Sequence, residues 1–373
     1  MERILHNIGG IGLGGSQTFV MELYRKMDRS KIQFDFVIFS DKHADEGYKN
    51  EILSLGGKIF LSPRYSAKNH FKFCKWWKNF FRDHPEYRII HGHVYSCASV
   101  YLSIAKRYGL KTICHAHSTA NGGNFVSRII KRLYEIRIKN IADYLFACST
   151  DAGRWLYGVN ATKKDNYYLI PNCIDVAKFS FSKEKRREIR DLHGVTEETF
   201  LIGHVGSFRV AKNHEFIISV FERIKLLNSN AVLMLVGVGD RMDHIKEICD
   251  RKNLSEAIIF AGNRHNVSDY YSAFDCFLFP SLWEGLPVSV VEAQASGLPC
   301  FISDRITKDV VLTDLIETIS LNESANYWAE RVLTSAGKQR CAADVDEIGG
   351  LSDFDSDIVS KKMQDFYLSI NKG

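Results

Sequence analysis

Short apolar runs alternate with longer amphipathic segments along most of the chain, and this alternation restricts the fold more than any other feature. Apolar runs of about four to eight residues suit buried strands, whereas the longer segments have the period of helices. Strands that are separated by helices are typical of βαβ units on a parallel sheet. The sequence therefore predicts an α/β protein.

The alternation occurs as two series. We expect the first series of strands near residues 3–8, 34–39, 57–61, 87–91, 111–116 and 143–148. We expect the second series near residues 200–206, 231–237, 257–261, 275–280 and 299–303. Two tandem, doubly wound parallel-sheet domains of the Rossmann type follow from this pattern.

The series are interrupted at PNCIDVAKFSFSKEKRRE, residues 171–188, where a proline and a charge run replace the apolar periodicity. A chain of 373 residues is also too long for one ordinary core. We predict an N-terminal domain at 1–170, a linker at 171–180, a second domain at 181–352 and a C-terminal helical segment at 353–373.

The composition excludes several classes of protein. The chain is 45% hydrophobic and 25% charged, as soluble globular proteins are, and its net charge of +5 is too small for a dedicated nucleic-acid binder. Its nine cysteines occur singly, which indicates reduced thiols. The N-terminus leads directly into a strand, and no apolar stretch reaches the about 18 to 20 residues of a spanning helix. We therefore expect a cytoplasmic protein.

Ligands of open parallel sheets collect at the carboxyl ends of the strands, which points to particular loops in the first domain. The first strand is followed by GGIGLGG, residues 9–15, whose glycines allow a ligand to approach the backbone and the start of the next helix. Gly10, Gly12 and Gly15 also match GxGxxG, so a site for a nicotinamide dinucleotide is an alternative. Against it, the first acid near the end of the second strand, Asp41, comes later than the usual offset.

Two histidine pairs end the fourth and fifth strands of this domain, His91 with His93 and His115 with His117. Residues two apart on a strand project to the same side, so each pair is expected to point two imidazoles at the ligand edge. Neither pair has a third ligand at zinc spacing. We predict hydrogen bonding to a polar substrate, and no metal.

In the second domain the same rule selects GSFRVAKN, GVGD, GNR and PSLWEGLP, which begin at residues 206, 237, 262 and 280. The first and last of these loops should be neighbours, which would bring Lys212 opposite Glu284. A helix that begins near Pro287 adds its positive end. This combination predicts a diphosphate site without a metal.

Glu284 and Glu292 flank this site, eight residues apart. Glu292 alone is explained by the dipole at the first turn of a helix. Two carboxylates that accept hydrogen bonds from hydroxyls, however, suit the ribose and the hexose of a nucleotide sugar. A pair of glycosidase carboxylates is the alternative, and the nearby lysine argues against it.

With these motifs assembled, the chain resembles the family 4 retaining glycosyltransferases of the GT-B fold, in particular the branch that makes bacterial capsules and exopolysaccharides. The most specific stretch is FLFPSLWEGLPVSVVEAQASGLPCFISD, residues 277–304, with the E-x7-E signature of the family at Glu284 and Glu292. Supporting matches are GGSQTFVMEL at 14–23, CHAHS at 114–118, FACSTDAGRWLYG at 146–158, PNCIDVAKF at 171–179 and VGSFRVAKNHEF at 205–216.

The resemblance implies two Rossmann-like domains that face a central cleft, and a last helix that braces the first domain. It also implies transfer of a sugar from a nucleoside-diphosphate sugar to a glycan or a lipid-linked saccharide, with retained configuration and no cofactor. The base is most commonly uridine in similar enzymes, which favours a UDP-sugar. The implied catalytic residues are His117, Lys212 and Glu284. The implied donor-binding residues are Gly206, Ser207, Arg209, Lys212, Gly237, Arg264, Glu284, Gly285, Leu286, Pro287 and Glu292. The implied acceptor-binding residues are Gly14, Gly15, Gln17, His93, His115 and His117.

The chain departs from the family pattern at Ser207, where the family has an arginine five residues before the lysine. Arg209 is the candidate replacement. Two other classes of function stay open at this point: an oxidoreductase that binds NAD at GGIGLGG, and a weakened partner protein that binds a nucleotide sugar without turnover.

Two basic segments of the first domain suggest contact with the inner face of a membrane. NHFKFCKWWKNFFRDH, residues 69–84, has an apolar face opposite a basic one, and Trp76 falls among the lysines. The residues of the apolar face are Phe73, Cys74, Trp77, Phe80 and Phe81. The second segment is RIIKRLYEIRIK, residues 128–139. A solvated helix is the alternative. The acidic runs at 344–346 and 353–357 are interpreted as a solvated loop and the start of a helix.

Overall fold

The structure is a computed structural model, which describes residues 1–12, 14–40, 47–119, 132–337 and 350–371. The chain divides into two compact units. The N-terminal unit comprises Met1–Ile174 and Asp355–Gly373, and the C-terminal unit comprises Asp175–Phe354. The division after Ile174 lies inside the segment 171–180.

The N-terminal unit contains a seven-stranded parallel sheet of order β3-β2-β1-β4-β5-β6-β7. Its strands are β1 (Glu2–Asn7), β2 (Ile32–Ile38), β3 (Ile59–Leu61), β4 (Ile89–Gly92), β5 (Lys111–Ala116), β6 (Tyr144–Ala147) and β7 (Tyr167–Leu169). The helices of this unit before the division include α1 (Gly15–Lys26), α2 (Lys49–Ser54), α3 (His70–Asp83), α4 (Ala98–Arg107), α5 (Ile138–Ile141) and α6 (Thr150–Tyr157). The strand order reverses beside β1, which places the β1, β4 and β5 loops together.

The C-terminal unit contains a six-stranded sheet of order β10-β9-β8-β11-β12-β13. Its strands are β8 (Phe200–Val205), β9 (Ala231–Val236), β10 (Ile258–Gly262), β11 (Cys276–Phe279), β12 (Cys300–Ser303) and β13 (Ile316–Ile319). Its helices are α7 (Lys183–Leu192), α8 (His214–Leu227), α9 (Met242–Arg251), α10 (Val267–Ala273), α11 (Val288–Ala295) and α12 (Ala325–Leu333). All its strand pairs are parallel, so the predicted fold class is confirmed in both units.

The last strand of each sheet, β7 or β13, was not predicted from the sequence. Both are short edge strands, and several of their side chains are half-buried or exposed. An edge strand packs against one neighbour only, so it does not need the apolar run by which the inner strands were recognised. The inner strands, in contrast, are almost fully buried, as β2 and β11 show.

The last helix, α13 (Ser356–Ile370), packs on α1 within the N-terminal unit. The Asp355 side chain caps it, since its carboxylate accepts hydrogen bonds from the backbone N–H groups of Asp357 and Ile358. Lys26 of α1 pairs with Asp357 at 3.0 Å. The acidic run 353–357 thus begins a helix, as predicted, whereas the run at 344–346 lies outside the described residues.

Two further findings concern the thiols and the lipid bilayer. The eight cysteines in the described part of the chain are all free. No helix among the described residues is long and apolar enough to cross a membrane.

Candidate functional site

Two loops of the C-terminal unit meet at the carboxyl ends of β8 and β11, which are neighbours in the sheet. The N–H of Leu282 donates a hydrogen bond of 2.8 Å to the carbonyl of Ala211. Asn213, in the left-handed region with φ 57°, donates from Nδ2 to the carbonyl of Pro280 at 3.1 Å. These bonds fasten the loop that carries Lys212 to the loop that carries Glu284.

Lys212 and Glu284 form an ion pair where these loops meet, as expected from the prediction that the two loops are neighbours. Lys212 Nζ lies 2.7 Å from Glu284 Oε1, and each side chain keeps 16% of its surface exposed. The ammonium group also lies 4.6 Å from the centre of the Phe279 ring. The stem of the lysine passes so close to Gly206 that a Cβ there would lie 3.2 Å from its Cδ. The site thus combines one cation and one carboxylate that solvent can reach.

The helix at the site, α11, begins at Val288 after Pro287, where a helix start was predicted. Glu292 is its fifth residue and therefore lies beyond the first turn, which corrects the sequence analysis. A helix dipole stabilises carboxylates mainly within the first turn, so this structural explanation of Glu292 is weakened.

Tyr271 holds Glu292 in place, a contact that the sequence analysis missed. The Tyr271 hydroxyl donates to Glu292 Oε2 at 2.7 Å and lies 3.1 Å from the carbonyl oxygen of Ser289. Burial and, next, the neighbouring Glu292 raise the pKa of Tyr271 well above its usual range, so its proton stays on the oxygen. No signal in the sequence links the two residues, because they are 21 positions apart on different helices.

The other predicted donor-binding residues have different surroundings. Gly237 has φ 136°, and a Cβ there would lie 2.2 Å from the Gly206 carbonyl oxygen, so glycine is required by close packing. Arg264 donates from Nε to the carbonyl of its own loop at Ala261. Arg209 is exposed and Ser207 is half-buried. The Gly285, Leu286 and Pro287 segment that precedes α11 is buried.

In the N-terminal unit, the predicted histidines come together with a fifth, His6 of β1. The two pairs stack as expected for neighbours on one side of a strand, with ring centres 4.3 Å apart for His91 and His93 and 4.1 Å apart for His115 and His117. His6 Nδ1 lies 3.1 Å from His93 Nε2. We call these five residues the histidine cluster.

Burial changes the interpretation of this cluster. His115 is fully buried, and its nitrogens already bond to His91 and to the carbonyl of Ile170. His93 is also buried, and both of its nitrogens bond to other histidines. A positioning role fits these two residues better than the direct contact with an acceptor that the sequence predicted. His117 is half-buried.

The glycine-rich loop leads into α1, whose first residue is Gly15, with Gly14 at the N-cap. A Cβ on Gly14 would lie 2.4 Å from Gln17 Oε1, so the loop and Gln17 are tightly packed together. Leu13 and Asp41, which bear on the dinucleotide alternative, lie outside the described residues. The predicted contact of Gly14, Gly15 and Gln17 with an acceptor stays a prediction.

Two sets of three ring nitrogens lie close enough to hold a metal ion, one from His6, His91 and His93 and one from His93, His115 and His117. No third ligand was predicted from the sequence because each histidine pair was considered by itself. The second set combines residues of both pairs, and His6 of the first set is far away in the sequence. Several of these nitrogens already pair with one another at 2.8 to 3.3 Å. The predicted absence of a metal stays a prediction.

Two family models match the chain, one on each unit. The model for glycosyl transferases group 1 matches residues 185–330, and the model for Glycosyltransferase Family 4 matches residues 13–178. A Bacillus subtilis (strain 168) protein named as glycosyltransferase EpsF is 35% identical over 343 residues, which are 91% of this chain and 89% of EpsF. The chain belongs to the family 4 glycosyltransferases. This membership argues against the alternative that the chain is an oxidoreductase that binds NAD.

Other similar glycosyltransferases match over almost the full length. The capsular polysaccharide biosynthesis glycosyltransferase CapH of Staphylococcus aureus is 21% identical over 379 residues, which cover 99% of both chains. The crystal structure of Anabaena HepE in complex with UDP has a TM-score of 0.78 at 15% identity and covers 99% of this chain and 100% of HepE. At that identity the likeness shows the fold, which is GT-B with Rossmann-like parallel-sheet domains.

Proposed function

We propose that this glycosyltransferase moves a sugar from a UDP-sugar to a glycan or a lipid-linked saccharide in the synthesis of a bacterial surface polysaccharide, without a metal ion and with retained configuration. The observation that carries the proposal is the Lys212–Glu284 pair, with Glu284 in the loop that leads into the N-terminus of α11. A cation and a helix N-terminus are complementary to a diphosphate, and carboxylates are complementary to sugar hydroxyls.

In the proposed mechanism, Lys212 stabilises the negative charge that grows on the departing diphosphate. The bond between the anomeric carbon and the phosphate oxygen breaks while the acceptor oxygen attacks the same face, and the departing phosphate takes the proton of the acceptor. Glu284 and the backbone after it hold the donor sugar, and Glu292 holds the ribose. His117 positions the reacting sugar.

The related proteins support the donor and the pathway. HepE was crystallised with UDP and with UDP-glucose, and the latter structure has a TM-score of 0.74 to this chain at 16% identity. CapH is named for capsular polysaccharide biosynthesis. These names describe the related proteins, and we extend them to this chain only as part of the proposal.

The proposal is tested by incubating the protein with UDP-sugars and saccharide acceptors and measuring UDP release. We expect turnover that survives removal of metal ions with EDTA, and a product whose anomeric configuration by NMR equals that of the donor. Binding of UDP-sugar without turnover with any acceptor would support the weakened partner protein instead. An inverted product or loss of activity with EDTA would contradict the mechanism.

The role of Glu292 is tested by calorimetric titration with UDP. Because a carboxylate that accepts from two ribose hydroxyls loses charge-assisted hydrogen bonds on neutralisation, we expect Glu292→Gln to weaken UDP binding by about 10-fold or more. Glu317→Gln, on β13 of the same unit, is the control, since Glu317 pairs with Arg331 on α12. Unchanged UDP affinity in Glu292→Gln, together with loss of a trapped glycosyl-enzyme, would mean that Glu292 is the nucleophile.

Contact with the membrane surface is a further part of the proposal. In α3, four of the five residues predicted on the apolar face are buried, namely Phe73, Trp77, Phe80 and Phe81, and the fifth, Cys74, is half-buried. Trp76 stacks on Phe80 and is also half-buried. Phe71 is 89% exposed. It borders a cavity of about 380 Å³ that is also lined by Lys78, Arg107 and Arg137.

This cavity brings together the two basic segments that the sequence analysis identified separately, although residues 128–131 lie outside the described part. Leu133 of the second segment is 62% exposed. Exposed apolar side chains among cations are typical of surfaces that bind anionic lipids. The face of α3 around Phe71 is therefore our candidate for the membrane contact.

Vesicle sedimentation tests the contact. We expect binding to vesicles with anionic lipids at low salt, and a loss of binding in Lys72→Glu/Lys75→Glu/Lys78→Glu because like charges repel. The control carries the same change of charge on exposed residues of the C-terminal unit, Lys178→Glu/Lys183→Glu/Arg187→Glu. Equal loss in both variants would indicate a nonspecific charge effect, and no binding at low salt would rule the contact out.

A further inference from the structure

The histidine cluster consists of neutral rings. Burial lowers the pKa of His6 to about 3 and the pKa of His117 to about 4. Burial also holds the pKa of the other three, His91, His93 and His115, well below the usual range. A neutral imidazole has one N–H donor and one acceptor nitrogen, so each hydrogen bond between two rings decides where the next proton lies.

One chain of hydrogen bonds runs from the Tyr367 hydroxyl through His91 and His115 to the Ile170 carbonyl, and we call it the relay through His91. Only one arrangement of protons satisfies all of its bonds. The Ile170 carbonyl can only accept, so His115 Nε2 donates to it at 3.2 Å. His115 Nδ1 must then accept from His91 Nε2 at 3.3 Å. His91 Nδ1 in turn accepts from the Tyr367 hydroxyl at 2.6 Å. Every ring nitrogen in this relay therefore has a partner.

A second chain of hydrogen bonds, the relay through His93, leads from His6 through His93 to His117 and on to Asn172. The side-chain oxygen of Asn172 accepts from His117 Nδ1 at 3.1 Å. His117 Nε2 must then accept from His93 Nδ1 at 2.8 Å, and His93 Nε2 accepts from His6 Nδ1 at 3.1 Å.

The far end of this second relay is His6 Nε2, a buried nitrogen without a hydrogen-bond partner among the described residues. The His6 ring packs against Phe34, with ring centres 4.1 Å apart. A proton on Nε2 would be a buried donor without an acceptor among the described residues, so the proton of His6 lies on Nδ1 and points towards His93. Every hydrogen bond of this relay therefore runs in the same direction, with each ring donating from Nδ1 to the next group on the path from His6 to Asn172.

We propose that the relay from His6 through His93 holds the proton of His117 on Nδ1 and fixes the orientation of its ring, so that His6 and His93 are positioning residues for His117. This inference deepens the proposed function, in which His117 positions the reacting sugar: because both of its nitrogens bond within the protein, the half-buried ring does so through its exposed surface and not through a hydrogen bond from nitrogen. It adds that His117 is not a general base, because its Nε2 already accepts a hydrogen bond from His93. The proton of the acceptor must therefore go to another group. In the proposed mechanism that group is the departing phosphate.

The test is 15N NMR of the full-length protein labelled in its histidines, with assignment by single His→Asn variants. We expect Nδ1 of His117 to be protonated in the unaltered protein. His93→Leu removes the donor to His117 Nε2, so we expect His117 to become a mixture of the two tautomers. His93→Asn keeps an N–H donor close to the position of Nδ1 and should restore the single tautomer. Tyr367→Phe, which breaks only the other relay, should leave the His117 signals unchanged.

Kinetics supply a second measurement that a merely structural role would not reproduce. We expect kcat to fall about 2- to 10-fold in His93→Leu, the factor of one neutral hydrogen bond, to recover in His93→Asn and to leave UDP affinity unchanged. His6→Leu should show a smaller loss with the same recovery in His6→Asn. If the tautomers behave as expected while kcat does not change, the relay stands and the assigned role of His117 in the reaction fails.

Three results would overturn the relay. The first is a proton on Nε2 of His117 in the unaltered protein. The second is an unchanged His117 tautomer in His93→Leu. The third is one equivalent of zinc in the purified protein that is lost in His93→Asn, since a metal ion would occupy the nitrogens that the relay uses.

Discussion

The histidine cluster of the N-terminal unit and the Lys212–Glu284 pair of the C-terminal unit lie at equivalent places, the carboxyl ends of neighbouring parallel strands. They differ in charge and in exposure. The cluster is neutral because burial lowers the pKa of its rings, and most of its hydrogen bonds are made within the protein. Each member of the ion pair keeps 16% of its surface exposed. The same topology thus supplies an internally bonded network in one unit and charges for a ligand in the other.

The difference has a physical cause. An isolated charge is costly to bury, so a buried polar cluster is stable when its members are neutral and bond to one another. A partly exposed ion pair keeps some of its hydration, and its members can exchange partners when a charged ligand arrives. The position at the end of a strand therefore suggests a site, and burial decides what kind of site it is.

The largest expected effect concerns the charged side of the comparison. Lys212→Met keeps the length of the side chain and removes the cation that we assign to the diphosphate. We expect kcat to fall about 30- to 1,000-fold, which corresponds to about 2 to 4 kcal/mol of transition-state stabilisation. The control is Lys252→Met, which breaks a surface pair with Glu222 in the same unit. Activity within threefold of the unaltered protein in Lys212→Met would end the assignment.

The second prediction concerns acid stability and compares the two units directly. A buried neutral histidine has a lower pKa in the folded state than in the unfolded state, so it stabilises the fold above about pH 6.5 and loses this contribution as the pH falls. For His6, with its pKa near 3, the loss from pH 7 to pH 5 is about 2 kcal/mol.

Among the described residues, the N-terminal unit has five histidines with a lowered pKa, four of them buried, whereas the C-terminal unit has three, of which only His204 and His214 are buried. We expect the N-terminal unit to lose protection first on acidification. Hydrogen exchange followed by mass spectrometry at pH 7, 6 and 5 resolves the two units. Earlier loss in the C-terminal unit would contradict the comparison.

A smaller effect is expected from Tyr271, which supports the ligand-binding side through Glu292. Tyr271→Phe removes one hydrogen bond to the carboxylate, so we expect UDP affinity to fall about 2- to 10-fold. The neighbouring Tyr270→Phe is the matched control, since the Tyr270 hydroxyl lies 3.3 Å from His193 Nε2 instead. Equal titration curves for the two variants would show that Glu292 does not depend on Tyr271.

The smallest effect is expected from Arg209, the candidate replacement for the arginine that the family has at Ser207. Because its side chain is exposed, we expect Arg209→Ala to retain kcat within about twofold, which corresponds to less than about 0.5 kcal/mol of transition-state stabilisation. The measurement is the steady-state kcat of Arg209→Ala, determined together with that of Lys212→Met. A fall as large as that of the lysine variant would show that Arg209 reaches the diphosphate.

Much of the fold and part of the site could be predicted from the sequence. The inner strands were recognised because burial on both faces demands continuous apolar runs, and the meeting of Lys212 with Glu284 followed from the strand order. The edge strands β7 and β13 were missed because they lack such runs. Tyr271 and His6 were missed because contacts between residues far apart in sequence leave no local pattern.

The sequence by itself determined the class of fold, the two-part organisation and the family, since these depend on periodicity and on motifs whose order is local information. Only the tertiary structure decided that the predicted histidines join a fifth one, that burial keeps them neutral, and that Glu292 lies in the second turn of α11 against Tyr271. Burial and hydrogen bonding are properties of how elements pack, so the same residue types become a neutral relay in one unit and a charged pair in the other.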